Sequence, residues 1–472
     1  MSTAQATRTV TLERRTDINL ESYRSVAREG AGIVIGDGAA ERMRAARASF
    51  LALVESDPSA FIYGVTTSAG DGAATLIDPD QRRALARMLG RSGASFGEPL
   101  PERVVRGIVL TRLTGMIEGN SGVRPELARL VAGMLDGDSL PTGPAQGNGG
   151  SGESIALGHL FGALSSRVVE DSREAMSLIN GSPCASALVA DAALSGRNRL
   201  VAAERVCALA AEAIRTPNEQ HSPLLETLWD EQHEVAALRS LRELLAGGVD
   251  DRRHFQAPVS FRILPRVLGR LRRATAEAER AATSSLAAVS DNPVYVPPCE
   301  GHPLGATLSN GSYHNAQAPQ AMDGLGMAWA DLCQLLERQT ERLLTDPTVF
   351  GEGHVPVKIL YMVQTWWSEE ARAAAQPTLI PLGGYGQNDT CAPSFFAWRR
   401  QEQVGRCLDA ALAIVAAISS QALSEGGRSA PPALAAMLAD VRLRFPVVTE
   451  AHALGEEAGR LASWFTERAL EH

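Results

Sequence analysis

The chain has 472 residues, of which 45% are hydrophobic and 21% charged, and its formal net charge is −9. These proportions are typical of a globular protein with a large core, and the acidic balance argues against a nucleic-acid partner. The six cysteines lack CxxC spacing and the nine histidines lack HxxxH or HExxH spacing, so neither a disulfide set nor a metal site is predicted. The N-terminus has no apolar signal core, and the longest apolar run, 410–418, is too short to span a bilayer. We therefore expect a cytoplasmic protein that does not bind a membrane.

The N-terminal third predicts short elements around one loop. Thr/Val-rich segments and turn glycines in the first 40 residues indicate short strands or a small hairpin. An amphipathic helix is expected over 40–55, and residues 61–72 form an apolar entry into a mobile loop of small residues. Three further helices are expected at about 80–92, 101–118 and 124–135.

Four glycines lie within residues 147–152, with Ser151 between two of them and an apolar, helix-forming run after them. A phosphate cradle is disfavoured, because no strand precedes the stretch and no Gly-Lys-Ser/Thr ends it. A flexible loop is one interpretation. A chemical one is that the amide of Gly152 attacks the carbonyl of Gly150; loss of two waters then leaves an imidazolone with an electrophilic exocyclic methylene, derived from Ser151.

The rest of the chain predicts long helices at 185–214 and 261–288, from 320, and from 402. Helices of this length usually pack side by side in a bundle. Three polar insertions, at 256–262, 291–315 and 381–393, are expected at the bundle ends, as candidates for site loops. The predicted fold class is all-α. Residues 1–190 would form an N-terminal region with the tyrosine loop and the Gly-Ser-Gly stretch, and residues 191–472 the long-helix bundle and C-terminal helices of the same catalytic unit.

A series of short motifs, in order along nearly the whole chain, resembles the histidine and phenylalanine ammonia-lyase family, also called the aromatic amino acid lyases. These are Tyr-Gly-Val-Thr-Thr at 63–67, Gly-Glu-Pro-Leu at 97–100, Gly-Asn-Ser-Gly-Val-Arg at 119–124, Gly-Ser-Gly at 150–152, Leu-Ile-Asn-Gly at 178–181, Ser-Asp-Asn-Pro at 290–293, Ser-Asn-Gly-Ser-Tyr-His at 309–314 and Gln-Asn-Asp at 387–389.

The resemblance implies a fumarase/aspartase-like helical architecture and a carbon–nitrogen lyase or aminomutase that removes the α-amino group of an amino acid. Family members form a 4-methylidene-imidazol-5-one (MIO) group from Ala-Ser-Gly, here Gly150-Ser151-Gly152, and use neither a metal nor a nucleotide. They are also homotetramers whose active sites are built from several chains.

The resemblance also assigns roles to individual residues. Tyr63 would be the base that takes the β-proton, and Arg262, after Gln256, would bind the substrate carboxylate. Asn180 would hydrogen-bond the imidazolone oxygen, or a substrate oxygen if no ring forms. Further positions would contact the substrate: Ser92 at the ring-reading position, Gln387 and Asn388 near the amine, and Tyr313 where a Phe normally packs, with a hydroxyl that could partly replace a lost tyrosine.

Several departures from the family pattern limit the assignment. Val259 stands in place of an active-site tyrosine, and Gly93 stands where histidine lyases often carry His. In the prosthetic-group motif Gly150 replaces Ala, Glu153 replaces Asp, and one residue is missing just upstream. Three hypotheses follow. The first is a lyase or aminomutase that uses MIO and acts on an amino acid other than plain His, Tyr or Phe. The second is a ring-less member that eliminates a pre-activated quaternary ammonium, as ergothionases do, and the third is a non-catalytic homologue.

Overall fold

The fold comes from a computed structural model, which describes residues 8–89, 91–137, 140–167, 171–351, 355–381, 383–384 and 386–471. The α-helices of these residues are α1 Leu20–Ala27, α2 Asp37–Ser56, α3 Pro79–Leu89, α4 Glu102–Ile117, α5 Pro125–Gly133, α6 Ser154–Arg167, α7 Ser172–Ile179, α8 Pro183–Ala213, α9 Gln232–Leu244, α10 Val259–Arg262, α11 Leu264–Leu286, α12 Gln317–Thr345, α13 Pro347–Phe350, α14 Leu360–Ala374, α15 Ser394–Glu425, α16 Ala435–Arg444 and α17 Gly455–Leu470. The strands are β1 Thr9–Leu12, β2 Gly32–Ile35, β3 Val294–Val296 and β4 Ala306–Leu308.

Four long helices, α8, α11, α12 and α15, form the central bundle. They contain 31, 23, 29 and 32 residues. Helices α8 and α12 pack against each other, and each of them also packs against α11 and α15. The predicted all-α fold class and the four long helical patterns are therefore confirmed.

Helix α15 is buried along most of its length, as expected of a helix surrounded by others. By length and composition it could cross a membrane, but 94% of its most apolar window is buried inside the protein. Its buried Asp409 is neutralised by Arg199 of α8, whose Nε and Nη2 donate to the two carboxylate oxygens at 3.0 and 2.8 Å. The hydrophobicity of α15 is thus that of a core helix.

The first 40 residues contain the short strands that were one of the two expectations for them. The other expectation, a small hairpin, is wrong, because β1 and β2 pair in parallel, with Thr9 opposite Gly32. The segment between the two strands contains α1, and a crossover of this kind returns the chain in the same direction. A hairpin does occur in the insertion 291–315, where β3 and β4 are antiparallel.

A small cluster of three helices, α3, α6 and α7, packs beside the bundle and holds several site segments. Helix α7 begins where the Asp171 carboxylate accepts a hydrogen bond from the amide of Glu174 at 3.1 Å, and it ends at Asn180. Helix α6 starts directly after the Gly-Ser-Gly stretch. The three helices thereby place Asn180, Ser151 and the segment after α3 around a common space.

Candidate active site

A cavity of about 730 Å³ lies between the α3–α6–α7 cluster and three other segments, 61–73, 307–313 and the loop that carries Gly384, Gln387 and Asn388. Nine of the residues assigned to the site from the sequence line it: Tyr63, Ser92, Gly150, Ser151, Gly152, Asn180, Tyr313, Gln387 and Asn388. They come from segments far apart in the chain, so the fold brings most of the assigned residues into one place.

Tyr63 is held by the packing on both sides of it. Its neighbours Ile62 and Val65 are buried in a small hydrophobic cluster with Phe50 and Tyr295. Two apolar anchors three residues apart fix the chain around Tyr63 and leave its side chain on the cavity wall.

The backbone and its surroundings require a glycine at position 64, directly after Tyr63. Its φ is +65°, which favours glycine, and a Cβ there would lie 2.8 Å from Cγ of Met176. The phenol oxygen of Tyr63 accepts a hydrogen bond from the amide of Gly70 at 3.0 Å. An N–H donated to this oxygen stabilises negative charge on it and leaves the phenol hydrogen free to donate elsewhere.

The Gly-Ser-Gly stretch forms a tight turn. Gly150 and Gly152 both have positive φ, +95° and +65°, and a short 3₁₀ helix spans Ser151–Glu153. The Ser151 hydroxyl donates to Oδ1 of Asn388 at 2.9 Å. The side chain of Tyr313 packs against Gly152 in the same cavity, with its Cδ2 3.6 Å from the site of a Cβ.

Glu153 fixes this turn to the start of α8. It is a non-glycine residue with φ of +58°, and its two carboxylate oxygens accept hydrogen bonds from the amides of Cys184 and Ala185 at 2.7 and 2.8 Å. Burial raises the pKa of Glu153 to about 7, although the two amides act in the opposite direction. The carboxylate thus serves as an N-terminal cap for α8 and anchors the turn.

The backbone of Asn180 is hydrogen-bonded to a buried ion pair, Arg112 and Asp291. The Arg112 guanidinium donates both to the backbone carbonyl of Asn180 and to Asp291, which also accepts from the Ser121 hydroxyl. The side-chain Oδ1 of Asn180 is buried and has no hydrogen-bond partner among the described residues. Because buried polar atoms are rarely left unpaired, this amide is available to a bound group.

The cavity walls are largely uncharged. Among the lining residues that the structure describes, Arg91 carries the only permanent charge, and none is a carboxylate. Apolar side chains form much of the remaining wall: Phe61, Ile62, Leu85, Met88, Leu89, Ile155, Met176 and Ile179. Among the described residues of this chain, a general base on the cavity wall therefore has to be a group other than Asp or Glu.

Gly93, which occupies the position where histidine lyases often carry His, has no space for a side chain. A Cβ at Gly93 would lie 2.9 Å from the backbone nitrogen of His159, so no larger side chain fits without moving α6. The hydroxyl of Ser92 is used within the protein, because it donates to the carbonyl of Ser154 at 2.8 Å. Ser92 lines the cavity but also ties it to α6.

Gln256 and Arg262 do not line this cavity within one chain. They are exposed and lie in a separate surface cleft of about 690 Å³ on α10, beside α12. The same cleft exposes Phe255 to 80% and Val259 to 57%. Of the eleven site residues assigned from the sequence, these two are the ones that the single chain keeps apart.

The sequence did not indicate three further features of the site. Arg91 and Met176 line the cavity, although no motif marks either of them. Gln387 donates its amide to the carbonyl of Gly70, so it bridges the tyrosine loop to the loop that carries Asn388.

Within the described part of the chain no three His, Cys, Asp or Glu side chains are grouped as a metal site would require.

Known proteins share both the sequence and the fold. The family model described as aromatic amino acid lyase matches residues 18–169 and 166–443. The chain belongs to this family. It is accordingly an enzyme of the carbon–nitrogen lyase class, and the motif resemblance is confirmed.

Individual relatives show how broad the family is. The histidine ammonia-lyase of Deinococcus radiodurans is 32% identical, over 71% of this chain and 68% of that protein. Two solved structures share the fold at 17% identity. The ergothionase of Treponema denticola has a TM-score of 0.86, over 98% of this chain and 99% of that one. The phenylalanine aminomutase of Pantoea agglomerans has a TM-score of 0.87, over 98% of this chain and 100% of that one.

Proposed function

We propose that this aromatic amino acid lyase family member is an ammonia-lyase or aminomutase that eliminates the α-amino group from a non-standard amino acid. The observation that carries the proposal is the assembly of Tyr63, the Gly150-Ser151-Gly152 turn and Asn180 around one cavity. Elimination needs a base for the β-proton and a means of making the amine a better leaving group, and these residues supply candidates for both.

Tyr63 is the proposed base. No carboxylate lines the described cavity, and the amide of Gly70 stabilises negative charge on the Tyr63 oxygen. Closure of an apolar cavity around a substrate would exclude water and strengthen this hydrogen bond. Tyr313, which packs against Gly152 and lines the same cavity, would provide a second hydroxyl in place of the tyrosine that Val259 replaces.

The turn fits the family's prosthetic group. Its backbone is tightly bent at Gly150 and Gly152, open space surrounds the site of a Cβ at Gly150, and the unpaired Oδ1 of Asn180 belongs to the same cavity wall. Gly150, Ser151 and Gly152 would therefore hold the group, which supplies an electrophile that captures the substrate amine. Asn180 would orient it, while Tyr63 receives the proton.

Gln256 and Arg262 would enter the site from neighbouring copies in a homotetramer. Their cleft is open on the single chain. Helix α14 also carries three exposed apolar side chains, those of Met362, Val363 and Trp366, of which Trp366 is 69% exposed. Large apolar side chains grouped on an exposed helix are typical of a surface that a partner covers. An Arg262 guanidinium delivered by a partner would bind the substrate carboxylate through two parallel hydrogen bonds.

The substrate would be an amino acid with a side chain unlike plain His, Tyr or Phe. Gly93 removes the ring-reading side chain, and the walls provided by Leu85, Met88, Met176 and Ile179 favour apolar contact. Arg91 is the one charged group that the described wall offers to a distal substituent.

The direct test is incubation with a panel of aromatic and aliphatic amino acids, in which ammonium, unsaturated acid and β-amino acid are measured. Tyr63→Phe should lower kcat by about 10²–10⁴-fold, the usual contribution of a general base. Tyr23→Phe is the matched control, because Tyr23 is buried outside the cavity and its hydroxyl donates to the Ala187 carbonyl at 2.9 Å. Equal activity of the two variants, or no product from any substrate, would contradict the proposal.

A mixing experiment tests the shared site. Tyr63→Phe and Arg262→Gln chains, each inactive alone, would be co-expressed with different tags and purified as mixed oligomers. If a site takes Tyr63 from one chain and Arg262 from another, random mixing restores about a quarter of the sites. Absence of any recovery would place both residues in the same chain's site.

The ring-less alternative remains as a second candidate, supported by the aromatic lining. Phe61, Tyr63 and Tyr313 all line the cavity, and aromatic faces bind quaternary ammonium groups. Such a leaving group departs without an electrophile. Under this alternative Ser151→Ala keeps its activity on a betaine substrate, whereas an enzyme that needs the prosthetic group loses activity on every substrate.

A further inference from the structure

The segment 386–392, here called the bridging loop, contacts the Gly-Ser-Gly turn at three atoms. The Gly150 amide donates to Sγ of Cys391 at 3.0 Å, and the Gly150 carbonyl accepts from the amide of Ala392, also at 3.0 Å. Asn388 accepts the hydroxyl of Ser151 at 2.9 Å. Both polar groups of Gly150 and the only side chain of the turn are thus engaged by one loop more than 230 residues away in sequence.

We propose that Cys391 and Ala392 form a clamp on Gly150 that promotes closure of the imidazolone ring in this chain. The inference rests on the ring-forming branch of the proposed function. Cys391 is a positioning residue: its side chain is buried and its sulfur touches the turn, not the cavity where a substrate would bind. The bridging loop would act before any substrate is present.

The chemistry shows why these two contacts matter. Ring closure forms a bond between the Gly152 nitrogen and the Gly150 carbonyl carbon. The Gly150 oxygen then leaves as water with the hydrogens of the Gly152 and Ser151 amides, and the Ser151 hydroxyl leaves as a second water with the Cα hydrogen. No oxidant or other reactant is needed. The Ala392 N–H donates to the oxygen on which negative charge develops during the attack, as a donor in an oxyanion hole does.

The Cys391 contact addresses the replacement of alanine by Gly150. A glycine has more conformational freedom than alanine, so holding it in one bent geometry costs more entropy. Hydrogen bonds to both its N–H and its C=O fix φ and ψ at this residue without a side chain. The sulfur is itself confined, since a Cβ at Gly383 would lie 1.8 Å from it. The bridging loop thereby supplies the constraint that the missing methyl group does not.

The test is the mass of the tryptic or chymotryptic peptide that contains Ser151, measured over time after a short induction of expression. In the unsubstituted protein this peptide should lack two waters. Ala392→Pro, which removes the N–H donor, should slow the loss about 100-fold, as loss of one oxyanion-hole donor does. Cys391→Ala should slow it about tenfold, the effect of one hydrogen bond, and Cys391→Ser should recover most of the rate because its hydroxyl can accept.

The matched control is Cys333→Ala, which removes a buried thiol from α12 without touching the turn, and it should cyclise at the normal rate. Equal rates in Cys391→Ala, Ala392→Pro and the control would overturn the clamp. An unmodified peptide in the unsubstituted protein would overturn it as well, but would leave the elimination activity to be decided by the substrate panel. If Ala392→Pro does not fold, the comparison of the Ala and Ser variants at 391 decides the question alone.

Discussion

Replacing Asp291 by Asn should destabilise the protein strongly, because this carboxylate neutralises buried arginines. The Asp291 and Arg112 side chains are each only 2% exposed and form an ion pair. A second guanidinium, that of Arg173, is fully buried nearby; burial lowers its pKa to about 10, and Asp291 is the first of the charges that oppose this decrease. An Asn at 291 keeps the shape of the side chain and leaves two buried cations without their shared counter-ion.

The magnitude follows from the burial. Removal of one partner of a buried ion pair costs about 3–5 kcal/mol. With about 2.1 cal/mol/K of unfolding entropy per residue, 472 residues give about 1 kcal/mol/K, so the midpoint of thermal unfolding, Tm, should fall by about 3–5 °C. Because Arg112 also holds the backbone carbonyl of Asn180, activity should fall with stability at temperatures well below the new Tm.

The assay is differential scanning calorimetry beside a matched variant, Asp251→Asn. Asp251 also pairs with an arginine, Arg215 at 2.8 Å, but its side chain is 81% exposed. Exposed pairs contribute about 0–1 kcal/mol, so this variant should shift Tm by less than about 1 °C. If Asp291→Asn shifted Tm no further than Asp251→Asn, the argument that burial makes this ion pair critical would be refuted.

Two further predictions concern pH. Burial raises the pKa of Glu153 from its unfolded value of 4.5 to about 7, so its contribution to stability is complete below pH 4.5 and is lost as the pH rises through 7. In urea titrations, the stability of the natural protein relative to Glu153→Gln should therefore fall between these two pH values. A constant difference would contradict the assignment. Burial, with Arg252 and Arg242 nearby, lowers the pKa of His221 from 6.5 to about 4, so stability is lost as the pH falls from 6.5 to 4. The variant His221→Gln should remove that part of the acid sensitivity, which is measured as Tm against pH.

The long helices were predictable because their stability comes from a regular pattern that the sequence displays directly. The pattern over 185–214 corresponds to helix Pro183–Ala213. The pattern over 261–288 missed one break: Arg262 ends a short helix and Leu264 begins the next, with a proline in its first turn. Such a break has little effect on periodicity, so it was visible only in the backbone.

Pairings between distant segments were not predictable in the same way. Strands of three or four residues contain too few alternating positions to specify a partner, which is why the parallel pairing of β1 with β2 was missed. The contacts of Cys391 and Ala392 with Gly150 have no local signature, because they join segments that are more than 230 residues apart in the chain. The motif resemblance named most cavity residues, but it could not show that Arg262 lies on a different face of its own chain.

The apolar surface of α15 has a consequence for how the chain folds during synthesis. Ser394–Glu425 leaves the ribosome after three of its packing partners, α8, α12 and α14, and before two others, α16 and α17. A hydrophobic helix of 32 residues would be prone to aggregate if it emerged first. Here α8, α12 and α14, which pack against it, have already been translated. A circular permutation that moved α15 ahead of α8 would expose this helix to solvent during translation. It should lower the soluble yield more than it lowers the stability of the molecules that do fold.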